Sequence, residues 1–222
     1  MPPRQSRNKV ISYVDCIHEH NVNFDTRELY LHSDASDINH KTAMQFIKNL
    51  RILDVQNHNT ILVHMYVAGG DWCDGMAVFD AVRQAKSAIT FLAYASVSSM
   101  STIVLQAADL RVLMPNCEFM VHHGNLSIEA NYLESTAMVD INKKNAKKML
   151  QILAQRCSSG QFFQEKGYSY SRITSYLDNK MRYKGDWYLS AEEAVYYGFA
   201  DGVFGEKRFQ LRNLTRNMSK VS

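Results

Sequence analysis

Residues 60–86 read TILVHMYVAGGDWCDGMAVFDAVRQAK. Thr60 to Val67 is an almost unbroken apolar run, the pattern of a strand buried on both faces rather than one with a wet side. Ala68-Gly69-Gly70 interrupts it, and from Asp74 to Lys86 the apolar residues Met76, Val78, Phe79 and Val82 return at helical spacing. A buried strand, a glycine corner and an amphipathic helix form one unit of an α/β fold with parallel strands.

The unit recurs on both sides. Before it, Glu28 to His32 reads as a short strand and Asp37 to Leu53 as a helix through Ala43, Phe46, Ile47, Leu50 and Leu53. After it come a strand at Ile89 to Tyr94, a small-residue corner Ala95 to Ser98, and a helix from about Ser99 through Ala108. Two short β-like segments, Arg111 to Met114 and Glu118 to His122, are parted by the turn signal Pro115-Asn116. A long helix follows from Leu133 to Cys157, roughly 37 Å at about 1.5 Å per residue. Its basic stretch, Lys143, Lys144, Lys147 and Lys148, reads as a solvated helix face in preference to a nucleic-acid patch. A further helix is predicted near Tyr170 to Met181. Ser190 and Glu193 form a capping box that, with Gly198 as the stop, bounds a short helix from Ala191 to Tyr197. Residues 1–26 read as an N-terminal arm, 27–205 as one domain, and 206–222 as a basic, flexible tail.

The bulk properties exclude several classes. The 222 residues are 46% hydrophobic and 21% charged, with 10 Gly and 3 Pro, which rules out collagen-like, low-complexity and wholly disordered chains. A net charge of +3 is too small a surplus to argue for nucleic acid or an anionic membrane as the main partner, and neither is expected. The four cysteines show neither a C-x-x-C pair nor zinc-site spacing, so a reducing compartment, the cytoplasm, is expected and no metal. The start lacks the apolar core of a secretory signal, and no run is long enough to span a bilayer.

Chemistry is expected at the third strand-to-helix corner. Ser99 stands where a buried strand ends and a helix begins, with the Met100 N–H at the first turn, where peptide dipoles favour negative charge. From these residues alone Ser99 is either a nucleophile or a helix cap. Gly69-Gly70 can turn backbone N–H groups toward a developing oxyanion, or be a plain turn. His122 ends the strand Phe119-Met120-Val121 and is suited to take a serine proton and return it to a leaving amine.

Taken together these residues resemble a known family. From about Arg27 to Gly205 the chain is similar to ClpP, the proteolytic subunit of the Clp proteases, which are serine peptidases. Four blocks carry the likeness: Val67-Ala68-Gly69-Gly70 with Asp74 to Asp80; Val97-Ser98-Ser99-Met100; Met114-Pro115-Asn116 through His122; and Tyr188-Leu189-Ser190-Ala191 through Asp201. Ala68 replaces a usual proline and Ser33 a usual glycine, departures that look more like divergent, phage-type members.

The resemblance implies Ser99 as nucleophile, His122 as general base and acid, and the N–H groups of Gly70 and Met100 as oxyanion hole. Its third member, an aspartate before the Tyr188 block, does not carry over cleanly. The candidates are Asp178, Asn179 and Asp186, and Asp178 is favoured because a buried carboxylate would orient and stabilise the imidazolium. The implied fold is the ClpP/crotonase-like spiral of strand-strand-helix units, with a handle over about 124–157 that includes a strand near Gly124 to Ile128. Implied partners are unfolded polypeptides, further copies in stacked heptameric rings, and an AAA+ unfoldase. The subunit itself would need no cofactor, ATP being used by the unfoldase. The alternatives are a catalytically weak, ring-building subunit and a crotonase-type acyl-CoA enzyme.

Overall fold

The computed structural model describes residues 12–216 except 34, 36, 126 and 128. The chain opens with α1 (Tyr13–His20), capped by Ser12 and Asp15, then β1 (Val22–Asn23), β2 (Glu28–His32), β3 (Asp37–Ile38) and α2 (His40–Gln56), whose first turn is capped by Asn39. Next come β4 (Ile61–Tyr66), β5 (Gly69–Gly70) and α3 (Trp72–Gln84), capped by Asp71. A third set is β6 (Ile89–Ala93), β7 (Ser96–Ser98) and α4 (Met100–Leu105). A fourth is β8 (Leu110–Leu113), β9 (Glu118–Val121) and α5 (Tyr132–Cys157). The chain closes with α6 (Gln161–Lys166), α7 (Tyr170–Lys184), β10 (Trp187–Leu189), α8 (Ala191–Tyr196), β11 (Gly202–Val203) and α9 (Leu211–Leu214).

Each of the four sets is a strand-strand-helix unit. The first strand of each enters one six-stranded sheet, ordered β1-β2-β4-β6-β8-β11, in which β2, β4, β6, β8 and β11 run parallel. The second strand of each turns out into a smaller sheet, β3-β5 or β10-β9-β7. The apolar runs read as doubly buried strands are buried on both sides: Ile61, Leu62 and Val63 of β4, and all five residues of β6. One face packs on the helices in the main core. On the other face Leu62, Leu92 and Val112 are covered by Phe209 and Leu214.

Two expectations are corrected and a third falls partly outside the described residues. The arm over 1–26 is in its described part a helix followed by an edge strand: Val22 and Asn23 are buried and pair antiparallel with Leu29 and Glu28. The tail after Gly205 is packed, not loose, as far as Arg216. Phe209 and Leu214 are buried, and the Thr60 hydroxyl donates to the Arg216 carbonyl at 3.0 Å. Third, Gly124, Asn125 and Ser127 belong to no strand; the expected handle strand otherwise falls on Leu126 and Ile128, outside the described residues. The handle helix is present, 26 residues or about 39 Å long. Its buried residues all lie in the C-terminal third, from Met149 to Cys157.

Candidate active site

The sheet β10-β9-β7 builds the site. β7 and β9 are parallel, with Ser98 opposite Met120, so Ser99 and His122 emerge from the same end. β10 is antiparallel to β9, with Trp187 opposite Val121, so the residue entering β10, Asp186, stands at that end too. Three side chains distant in sequence are thereby aligned at one sheet edge.

Ser99 is held in a conformation that L-residues seldom adopt, φ 54° and ψ −126°, while its N–H donates to the Met120 carbonyl at 3.0 Å. Ser99 makes no side-chain cap to α4, and its Oγ instead lies 2.8 Å from His122 Nε2. Glycines make the corner possible. A Cβ on Gly69 would stand 3.1 Å from Ser99 Cβ, and one on Gly75 would overlap the side chain of Met100, which seats α4 against α3. Gly70 has φ +142°, and a Cβ there would overlap the Ile38 backbone.

A cleft of about 530 Å³ opens over this corner. Gly70, Ser99, Met100 and His122 line its floor, and Met138, Ile141 and Met149 of α5 form an apolar wall. The structure therefore gathers Ser99, His122, Gly70 and Met100 in one cleft.

Asp178, the favoured third member, does not reach His122. It sits on α7 with Oδ1 3.1 Å from Nε2 of the next histidine, His123, while its Oδ2 accepts from Arg182 at 2.9 Å. The carboxylate at His122 is Asp186, with Oδ1 3.2 Å from Nδ1 and a side chain 52% exposed. Asn179 is on α7 as well. Asp186 is selected by the pairing of Trp187-Tyr188-Leu189 with β9, which the sequence of this three-residue strand does not announce.

Among the described residues no group of three His, Cys, Asp or Glu side chains is placed to hold a metal, and no helix is long and apolar enough to cross a membrane. Burial pushes the Cys117 thiol up to about 12, with Glu118 adding to it, and burial raises Cys157 too.

Fold and site together define an α/β spiral with a serine and a histidine at the floor of a cleft and a carboxylate behind the histidine. The Clp protease family profile matches residues 19–207. The ATP-dependent Clp protease proteolytic subunit of Deinococcus radiodurans is 24% identical over 179 residues, 78% of this chain and 79% of that one. Its counterpart from Chlorella vulgaris is 26% identical over 183 residues, covering 80% and 81%. Among solved structures, a mutant ClpP1 from Listeria monocytogenes superposes with a TM-score of 0.68 at 20% identity, over 86% of this chain and 96% of that one. The chain belongs to the Clp protease family. It is a divergent, ClpP-like proteolytic subunit, and hence a peptidase.

Proposed function

We propose that this subunit is a serine endopeptidase that cleaves unfolded polypeptides through an acyl-enzyme. The observation that carries the reading is the 2.8 Å approach of Ser99 Oγ to His122 Nε2 in a cleft shared with Gly70 and Met100. Ser99 Oγ attacks the scissile carbonyl carbon as His122 Nε2 takes its proton, and the backbone N–H groups of Gly70 and Met100 receive the oxyanion. His122 returns that proton to the amine nitrogen as the C–N bond breaks, leaving an ester on Ser99. Water then attacks the ester, His122 accepts its proton, and the same proton restores the Ser99 hydroxyl as the acid product leaves. Asp186 holds Nδ1 and offsets the charge on the imidazolium.

In the same proposal the subunit works in the cytoplasm as part of stacked heptameric rings fed by an AAA+ unfoldase that uses the ATP. Exposed apolar residues support self-association: Tyr132, Leu133 and Ile141 lie on the N-terminal half of α5, which has no buried residue. The half-exposed Asp186 favours one second reading, a ring subunit with weak intrinsic activity. Fluorogenic peptide cleavage and sedimentation velocity test both. The proposal expects a large assembly whose cleavage is lost in Ser99→Ala and His122→Ala. Assembly without cleavage supports the weak subunit, and a monomer that cleaves nothing overturns both.

A further inference from the structure

His122 is followed by a second histidine, and each imidazole has its own carboxylate. Asp186 stands at His122, and Asp178 stands 3.1 Å from His123 Nε2. His123 Nε2 is buried and makes no aligned hydrogen bond, so Asp178 is its polar contact among the described residues. Arg182, one turn further along α7, binds the other Asp178 oxygen and keeps the carboxylate turned toward its partners. Both members of the pair are largely shielded, His123 at 30% exposure and Asp178 at 25%.

The position of this contact gives it a consequence for the reaction. The β9–β10 ladder ends at Val121, and residues 122–125 belong to no strand. Gly124, at φ +82°, turns the chain away toward α5. Regular pairing thus fixes the backbone of His122 from its N-terminal side alone. On the C-terminal side, among the described residues, the His123 side chain contacts α7 through Asp178. An imidazole that must span Ser99 and Asp186 needs its backbone fixed at both ends, since small displacements of reacting groups lower rates steeply.

We infer that the His123–Asp178 pair is a positioning device for His122, locking the backbone just after the base to α7. Asp178 thereby acts on the reaction without touching the reacting atoms. The inference rests on the peptidase reading of Ser99 and His122. His123→Ala and Asp178→Ala are each expected to lower kcat about tenfold with KM nearly unchanged. The double variant should be no slower than either single one, because both remove the same tie. His123→Gln, whose amide can donate to the same carboxylate, should recover most of the rate.

Rates equal to wild type in both single variants would overturn the inference, as would losses that add in the double variant or that follow a lowered Tm. Crystals of Asp178→Ala provide a test independent of activity. The Ser99 Oγ–His122 Nε2 distance is expected to lengthen beyond 3.5 Å, outside hydrogen-bond reach. A retained 2.8 Å contact would overturn the inference whether or not Ser99 is reactive. A wild-type protein that cleaves no peptide counts against the peptidase reading alone, and the crystals then decide the role of Asp178.

Discussion

Trp187 pairs with Val121 across the β9–β10 ladder, and that register sets Asp186 beside His122. Trp187 is the anchor: it is buried and packs edge-on against Tyr197 and Phe199, while Asp186 before it is half in water. The third member of the row is thus held through its neighbour's ring and not through its own burial.

From this follows the expected size of the Asp186 effect. A buried triad aspartate is worth about 10⁴ in kcat. A solvent-screened carboxylate should contribute less, so Asp186→Ala is expected to slow peptide cleavage about 10- to 100-fold. Steady-state kcat in the assembled protein measures this, and an unchanged kcat would remove Asp186 from the mechanism.

Gly70→Ala should be far more damaging than its size suggests. The added Cβ meets the Ile38 backbone, so the β3–β5 pairing must part and the Gly70 N–H must move from the cleft floor. Loss of one oxyanion donor corresponds to about 10²–10³ in kcat. Gly167→Ala is the control. Gly167 also has positive φ, but nothing lies within 4 Å of its Cβ position, so only the roughly 1 kcal/mol conformational penalty is expected, with activity retained.

The cysteines divide by burial. Cys117 is held protonated up to about 12 and Cys157 is fully enclosed, whereas Cys73 is exposed and lines the cleft beside Ser99. At pH 8, N-ethylmaleimide should label Cys73 before Cys117 or Cys157, and the adduct should slow cleavage in wild type but not in Cys73→Ser. Intact-mass and peptide mapping would show this. In the unfolded chain a thiol ionises near 9.0, while the folded chain keeps the Cys117 proton to about 12. The unfolded state therefore binds fewer protons in that window, and stability should fall as pH rises through it.

The C-terminal segment should be integral to stability. Phe209→Ala is expected to cost about 3–5 kcal/mol and Leu214→Ala about 2–5 kcal/mol, since each opens the cover over Leu62, Leu92 and Val112. Urea unfolding measures both, and changes below about 1 kcal/mol would show the segment to be dispensable.

Much of this was legible in the sequence, and the failures have physical causes. The doubly buried strands β4 and β6 and the capped helices announce themselves by period and by capping residues; His122 follows from the end of β9, and Ser99 from the start of α4, although the residues before it, read as a corner, form the strand β7. Asp186 was not separable from Asp178, because the choice depends on β10 pairing with β9, a three-residue strand whose formation is a tertiary event. The C-terminal segment misleads for another reason: Lys207, Arg208, Arg212 and Arg216 dominate its composition, while two residues, Phe209 and Leu214, carry its packing. At the N-terminus, β1 is two residues long and gains its order from the sheet edge it joins.

The central claim is that His122 makes Ser99 a nucleophile. Intact-mass measurement after incubation with a fluorophosphonate tests it most directly, with Ser99→Ala and His122→Ala treated in parallel. One adduct per wild-type chain is expected, mapped to Ser99, absent in Ser99→Ala and strongly slowed in His122→Ala. A folded wild-type protein that takes up no reagent, or an adduct that persists in Ser99→Ala, would contradict it.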